Sequence, residues 1–146
     1  DLLQHAASSA HFVPLYTDMP TPEAGVAAVR ARIAALPFPF DAVILGMGTD
    51  GHTASFFPGG DRLAEALDLA GTALLLPMRA AGAGEPRITF TLPALLDTQG
   101  LFLHIEGEPK RQLLADARLG LGAGKDYPIR SVLIQTRVPV AVYWCP

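Results

Sequence analysis

The sequence predicts an α/β protein: three layers, α/β/α, around a mostly parallel, Rossmann-like sheet. Three observations carry that expectation. Short apolar runs recur at 42–45, 72–76, 87–92, 101–105, 131–135 and 138–144, most of them with β-branched members. Segments with helical spacing fall between several of these runs, the pattern of parallel strands with helices on both faces. The run at 42–45 breaks at Gly46-Met47-Gly48 and passes at once into Thr49, Asp50, Gly51, His52 and Thr53. Open α/β sheets build their sites in such turns, beyond the carboxyl ends of the strands.

Residues 1–10 read as the tail of a helix and 12–15 as a short strand or extended segment. Thr21-Pro22-Glu23 is a helix start, with a capping hydroxyl, proline at the first helical position and an acid in the first turn. Val26, Val29, Ile33 and Leu36 then share one helix face, with Arg30 and Arg32 off it. Pro37 and Pro39 end that helix. After the glycine turn, Pro58-Gly59-Gly60 limits any helix beginning near Thr53 to about two turns. A short helix over 63–69 and a strand over 72–76 follow. The Ala- and Gly-rich stretch 79–85 has no period and is expected to be a mobile loop. Arg87 to Leu92 alternates as a strand does, Pro93 opens a short helix, and 101–105 is the next strand. A helix over 109–118, a flexible connector over 120–124 and closing strands at 131–135 and 138–144 complete a single domain, 1–146.

Half of the 146 residues are hydrophobic, enough to bury a core. The net charge of -3 gives no basic footprint, so no nucleic-acid partner is expected. No apolar run reaches the roughly 20 residues of a membrane-spanning helix, and no membrane partner is expected. Cys145 is the single cysteine. It excludes an intramolecular disulfide and fits a reducing, cytoplasmic setting. The chain opens without Met at Asp1-Leu2-Leu3-Gln4, in the manner of a fragment.

Gly46-x-Gly48-x-x-Gly51 after a strand satisfies the dinucleotide pattern G-x-G-x-x-G. That fingerprint also needs a full helix after the third glycine and an acid ending the next strand. Here Pro58 cuts the helix, and the next strand runs into Pro77-Met78-Arg79. A phosphate loop of the Gly-Lys-Ser/Thr type is absent. His5, His11, His52 and His104 show no paired zinc spacing, and Ser55 sits in no G-x-S-x-G elbow. Acid–base chemistry at Asp50-Gly51-His52 remains, with His52 as a base near neutral pH. The plain structural alternative is that His52 caps the turn and Asp50 pairs with backbone N–H groups.

The stretch LGMGTDGHTASFFPG resembles the signature of the 6-phosphogluconolactonases, close to L-G-M-G-x-D-G-H-T-A-S-L-F-P. Arg87-Ile88-Thr89-Phe90-Thr91-Leu92 is similar to the family's R-I-T-L-T-L. Leu101-Phe102-Leu103 with Gly107-Glu108-Pro109-Lys110 is similar to its L-F-L…G-x-x-K, and Pro128-Ile129-Arg130 and 140–144 also match. The resemblance implies hydrolysis of 6-phosphoglucono-δ-lactone, a sugar-phosphate lactone of the oxidative pentose phosphate pathway, with no metal or organic cofactor. It implies His52 as the base and Asp50 as its orienting acid. It implies lactone or oxyanion contacts from backbone N–H groups around Gly46, Met47, Gly48 and Gly51, and phosphate contacts from Arg87 and Lys110. Lys125 and Arg130 are lesser cation candidates. His104 is expected to be structural, and Phe56, Phe57 and Trp144 to be core. Family members are longer, with a Ser/Gly-rich phosphate-contacting loop in their N-terminal half. Nothing in residues 1–40 matches it, so the chain is expected to be the C-terminal portion.

Two other readings are weighed against this one. The amino-sugar-phosphate isomerase-deaminases have a similar turn but a glutamate five positions after the histidine, where this chain has Phe57. A non-catalytic sugar-phosphate-binding regulator would keep the cations without needing His52 and Asp50, both present here.

Overall fold

Thr21 starts the first long element by the capping its sequence predicts. Its side-chain oxygen accepts from the Ala24 N–H at 3.3 Å, Pro22 takes the first helical position, and α1 runs Pro22–Ala34. The structure, a computed structural model, describes residues 4–146. Val29 and Ile33 are buried on one face of α1 together with Leu75, and Val26, Leu36 and Ile88 pack around them. Of the helical tail expected over 1–10, residues 1–3 lie outside the described ones. The remainder forms only a 3-10 turn, His5–Ala7, and 12–15 is irregular rather than a strand.

Three strands, β1 (Val43–Leu45), β4 (Leu101–Glu106) and β5 (Val140–Cys145), form a sheet in the order β1-β4-β5. Both pairings are parallel, with Val43 opposite Leu101 and Leu101 opposite Val140. The strands between them, β2 (Leu75–Met78) and β3 (Arg87–Phe90), stand apart as an antiparallel pair with Leu75 opposite Phe90. β2 begins later than the expected 72–76. The Thr91 hydroxyl donates to the Ala73 carbonyl at 2.6 Å and its N–H to Leu74 at 3.1 Å, which ties that stretch to the loop after β3.

The short helices α2 (Leu63–Leu67) and α3 (Leu92–Leu95) fall where proline and periodicity place them. Between β4 and β5 run α4 (Glu108–Leu119) and α5 (Ile129–Ile134). α5 corrects the strand expected at 131–135. Ile129 and Val132 are both fully buried one helical turn apart, and a parallel pair requires a crossover, usually helical. The connector at 120–124 is also more ordered than its glycines imply. Gly120 ends α4 in a left-handed conformation, φ 68°, and Gly122–Asp126 is a 3-10 helix. Within 79–85, Ala81–Ala83 is a 3-10 turn with Ala83 buried.

The core gathers Val43, Leu45, Leu101, Leu103 and Ile105 from the sheet with Phe56, Leu92, Ala117, Ile129 and Val132. The opposite face of the sheet is open, with Ile44 74% and Tyr143 59% exposed. Among the described residues no helix is long and apolar enough to cross a membrane.

Glu23, in the first turn of α1, pairs with Arg79 just beyond β2; Arg79 Nη2 lies 2.7 Å from its Oε2. The guanidinium hydrogen bond holds the Glu23 carboxyl down at about 2, from an ordinary 4.5. A carboxyl depressed on folding stabilises the fold above its unfolded value and loses that contribution as pH falls through the folded one. Denaturant melts should therefore show wild type losing its advantage over Glu23→Gln between about pH 4.5 and 2, and no change in that difference above it. The pair is half exposed, so the effect is small.

Candidate active site

The end of β1 is shaped by what glycine permits. A Cβ on Gly48 would overlap the imidazole of His52, and one on Gly51 would stand 2.5 Å from Tyr127 Cγ. Gly51 also has φ +76°, a conformation that costs an L residue about 1–2 kcal/mol. The missing Cβ of Gly48 leaves room for His52 to fold over the turn. The turn is closed by Gly48 N–H to the His52 carbonyl at 2.9 Å and Gly51 N–H to the Gly48 carbonyl at 3.1 Å. From outside, the Ile129 N–H donates to the Gly51 carbonyl at 3.0 Å.

After His52 the chain makes another tight turn, not the helix expected near Thr53. Thr53 and Phe56 face each other across an antiparallel bridge, and Ala54 has φ 49°. The Thr53 hydroxyl donates to the Gly46 carbonyl at 2.8 Å, and the Ser55 N–H to Thr89 Oγ1 at 3.3 Å. These side-chain bonds take over from the helix ladder, and they remove the structural basis of a dinucleotide fingerprint.

Asp50 Oδ1 lies 2.6 Å from His52 Nδ1 and also accepts the His52 backbone N–H at 3.1 Å. Partial burial pushes the Asp50 pKa up, but the bonds from the His52 backbone and ring outweigh it and hold the carboxyl below its ordinary value. An ionised carboxylate only accepts. The Nδ1 of His52 therefore carries the proton, and a neutral ring presents a lone pair at Nε2. The His52 side chain is 32% exposed, so the ring is open in part to solvent and solute. Both halves of the structural alternative are present in part, since Asp50 does accept a backbone N–H. The ring Nε2, however, takes part in no hydrogen bond among the described residues.

Lys110 is half-buried in the first turn of α4, where the chain leaves β4. Because β1 and β4 are parallel neighbours, this turn and the 46–52 turn stand at the same end of the sheet. Arg87 opens β3 and comes to the site by another route. Its guanidinium carbon is 5.5 Å from the centre of the Phe57 ring, and that ring stacks on His52 with centroids 4.3 Å apart. Arg87 Nη2 donates to the Ala83 carbonyl at 3.0 Å. Its side chain also borders a cavity of about 420 Å³ together with Tyr16, Thr17 and Ser55.

The remaining candidates divide. Arg130 caps the carboxyl end of α4, donating to the Ala117 and Arg118 carbonyls at 2.6 and 3.0 Å, and so has a structural task. Lys125 is exposed in the 3-10 helix. The Gly48 and Gly51 N–H groups donate to the His52 and Gly48 carbonyls inside the turn, and the Met47 N–H takes no part in those bonds. Gly46 offers its carbonyl to Thr53. Trp144 is not core. It is 39% exposed, with its indole N–H on the Gly107 carbonyl at 3.1 Å. Phe56 is buried as expected; Phe57 is buried too, but it lies against both His52 and the Arg87 guanidinium, a link the sequence alone leaves unread. His104, Glu106 and Cys145 bring ligand atoms within 4.8 Å of one another on the open sheet face, all three exposed. Sequence spacing hides this grouping because Cys145 arrives from a neighbouring strand.

A family model described as glucosamine-6-phosphate isomerases/6-phosphogluconolactonase matches residues 1–144. A 6-phosphogluconolactonase of Rhizobium meliloti is 50% identical over 146 residues, covering all of this chain and 62% of its own length. One from Pseudomonas putida is 38% identical, over 99% of this chain and 58% of its own length. A crystal structure of a 6-phosphogluconolactonase from Shewanella baltica superposes with a TM-score of 0.87 at 38% identity, covering 98% of this chain and 60% of that one. A monomeric glucosamine-6-phosphate deaminase shares the fold at a TM-score of 0.61 and 18% identity. The chain thus spans about 60% of the length of the relatives it matches. On the match across 1–144, the chain belongs to the glucosamine-6-phosphate isomerase/6-phosphogluconolactonase family.

Proposed function

We propose that the protein hydrolyses 6-phosphoglucono-δ-lactone to 6-phosphogluconate, with His52 as general base. The observation that carries the reading is the 2.6 Å bond from His52 Nδ1 to Asp50, which leaves Nε2 as the basic atom at the mouth of the sheet. Nε2 takes a proton from water as the water oxygen bonds to the lactone carbonyl carbon. The carbonyl oxygen becomes an oxyanion, received by backbone N–H groups such as that of Met47. The tetrahedral intermediate then collapses, the bond from carbon to ring oxygen breaks, and the imidazolium returns its proton to that oxygen. The new carboxyl ionises to solvent. Water supplies the attacking oxygen, and the proton it gives up passes through His52 to the departing ring oxygen.

Phosphate recognition falls to Lys110 and Arg87, one a point charge and the other a planar donor. A charge-assisted hydrogen bond contributes about 1.5–3 kcal/mol. Lys110→Ala should therefore raise KM roughly 10- to 100-fold and leave kcat within a few fold. Acid release from the lactone, measured above its spontaneous rate, tests the whole reading: no enzymatic excess in the full-length protein would sink it. A deaminase would instead release ammonia from an amino-sugar phosphate. Phe57 disfavours that alternative, since it offers no carboxylate beside His52. A cytoplasmic setting is part of the same proposal, on the single cysteine and the metabolite substrate.

A further inference from the structure

A single hydrogen bond at Nδ1 does not aim an imidazole. It fixes one edge of the ring, and the torsion about the bond from Cβ to the ring is broad and only weakly preferred. The plane of His52 must be set by something else. The stacked ring of Phe57 meets it, with centroids 4.3 Å apart and planes 27° apart. Phe57 is itself held: it is 3% exposed, its carbonyl accepts the Gly60 N–H at 3.0 Å, and Pro58 follows it. Arg87 has the same problem. Its one hydrogen-bond anchor among the described residues, Nη2 on the Ala83 carbonyl, leaves the rest of the guanidinium to be placed by what it rests on, and it rests on Phe57 at 5.5 Å.

We propose that Phe57 is a positioning residue that sets the plane of His52 and the spacing between that base and the Arg87 guanidinium. In its kinetic consequence this rests on the lactonase reading. The ring neither touches the lactone nor moves a proton. It fixes two groups against one rigid, buried surface, so that a substrate anchored at Arg87 meets Nε2 at a set distance and angle. Attack geometry is unforgiving. A displacement of about 1 Å at a reacting group can lower a rate about 100-fold.

Proton NMR tests the contact without kinetics. In the wild-type protein the carbon-bound imidazole protons of His52, identified by their loss in His52→Asn, should show cross-relaxation to the Phe57 ring and lie upfield from ring current. Absence of that cross-relaxation in the wild-type protein overturns the proposal with no change at Phe57. Phe57→Met removes the flat ring and keeps an apolar side chain. It should return the His52 resonances downfield and lower kcat about 10- to 100-fold, while Phe57→Tyr keeps the stack and restores most of kcat. Resonances that stay in place in Phe57→Met, or kinetics untouched when they move, also overturn it. A wild-type protein that shows the stack but hydrolyses no lactone overturns the functional reading instead and leaves the packing role standing.

Discussion

His52→Asn should lower kcat for lactone hydrolysis by about 10²- to 10⁴-fold, the contribution usual for a positioned acid–base group. KM should change little, because Arg87 and Lys110 remain to hold the phosphate. Asparagine is the informative replacement. It keeps a polar donor beside Asp50, so the half-exposed carboxylate still has a partner, but it has no lone pair of useful basicity where Nε2 stood. Initial rates over a range of lactone concentrations, corrected for spontaneous opening, separate the two constants. An unchanged kcat removes His52 from the chemistry. A loss of binding with kcat intact makes it a structural residue of the turn.

Gly51→Ala is expected to have the largest effect on stability. The new Cβ meets Tyr127 at 2.5 Å with the backbone already at φ +76°. Strain of about 1–2 kcal/mol adds to an overpacking cost of about 1–3 kcal/mol, a large part of a typical domain's margin. The melting temperature should fall by about 10 °C. Gly59→Ala is the matched control. Its φ of +70° is similar but nothing lies within 4 Å of the added Cβ, so only the backbone cost remains. Equal losses in the two variants would show that Tyr127 yields freely and that the turn is not gripped from outside.

The parts of the fold legible in the sequence were those decided locally. Thr21 and Pro22 mark the start of α1 because capping is a property of a few adjacent residues. Strand 101–105 and the helix after Gly107 are equally plain. What tertiary contact decides was not legible. Ile129, Val132 and Leu133 are as apt for a strand as for a helix, and the crossover between parallel neighbours settles the matter. The segment after His52 lost its expected helix to the Thr53 bond, which reaches back to Gly46, and to the Ser55 bond, whose partner Thr89 is remote in sequence. At the site, the pairing of Asp50 with His52 could be read because they stand only two positions apart. The link from His52 through Phe57 to Arg87 spans 35 positions of numbering and no motif announces it. Proximity of that kind is a product of the fold.

The open back of the sheet has a colloidal consequence. β1 and β5 are its outer strands, and beside their lateral edges lies a wall that includes Ile44 and Tyr143. Among the described residues no further strand pairs with the outer edges of β1 and β5, and such edges beside uncovered apolar surface invite molecules to stack side by side. In a solution of this stretch by itself, molecules are expected to meet on that wall, a surface distinct from the acid–base turn that follows β1.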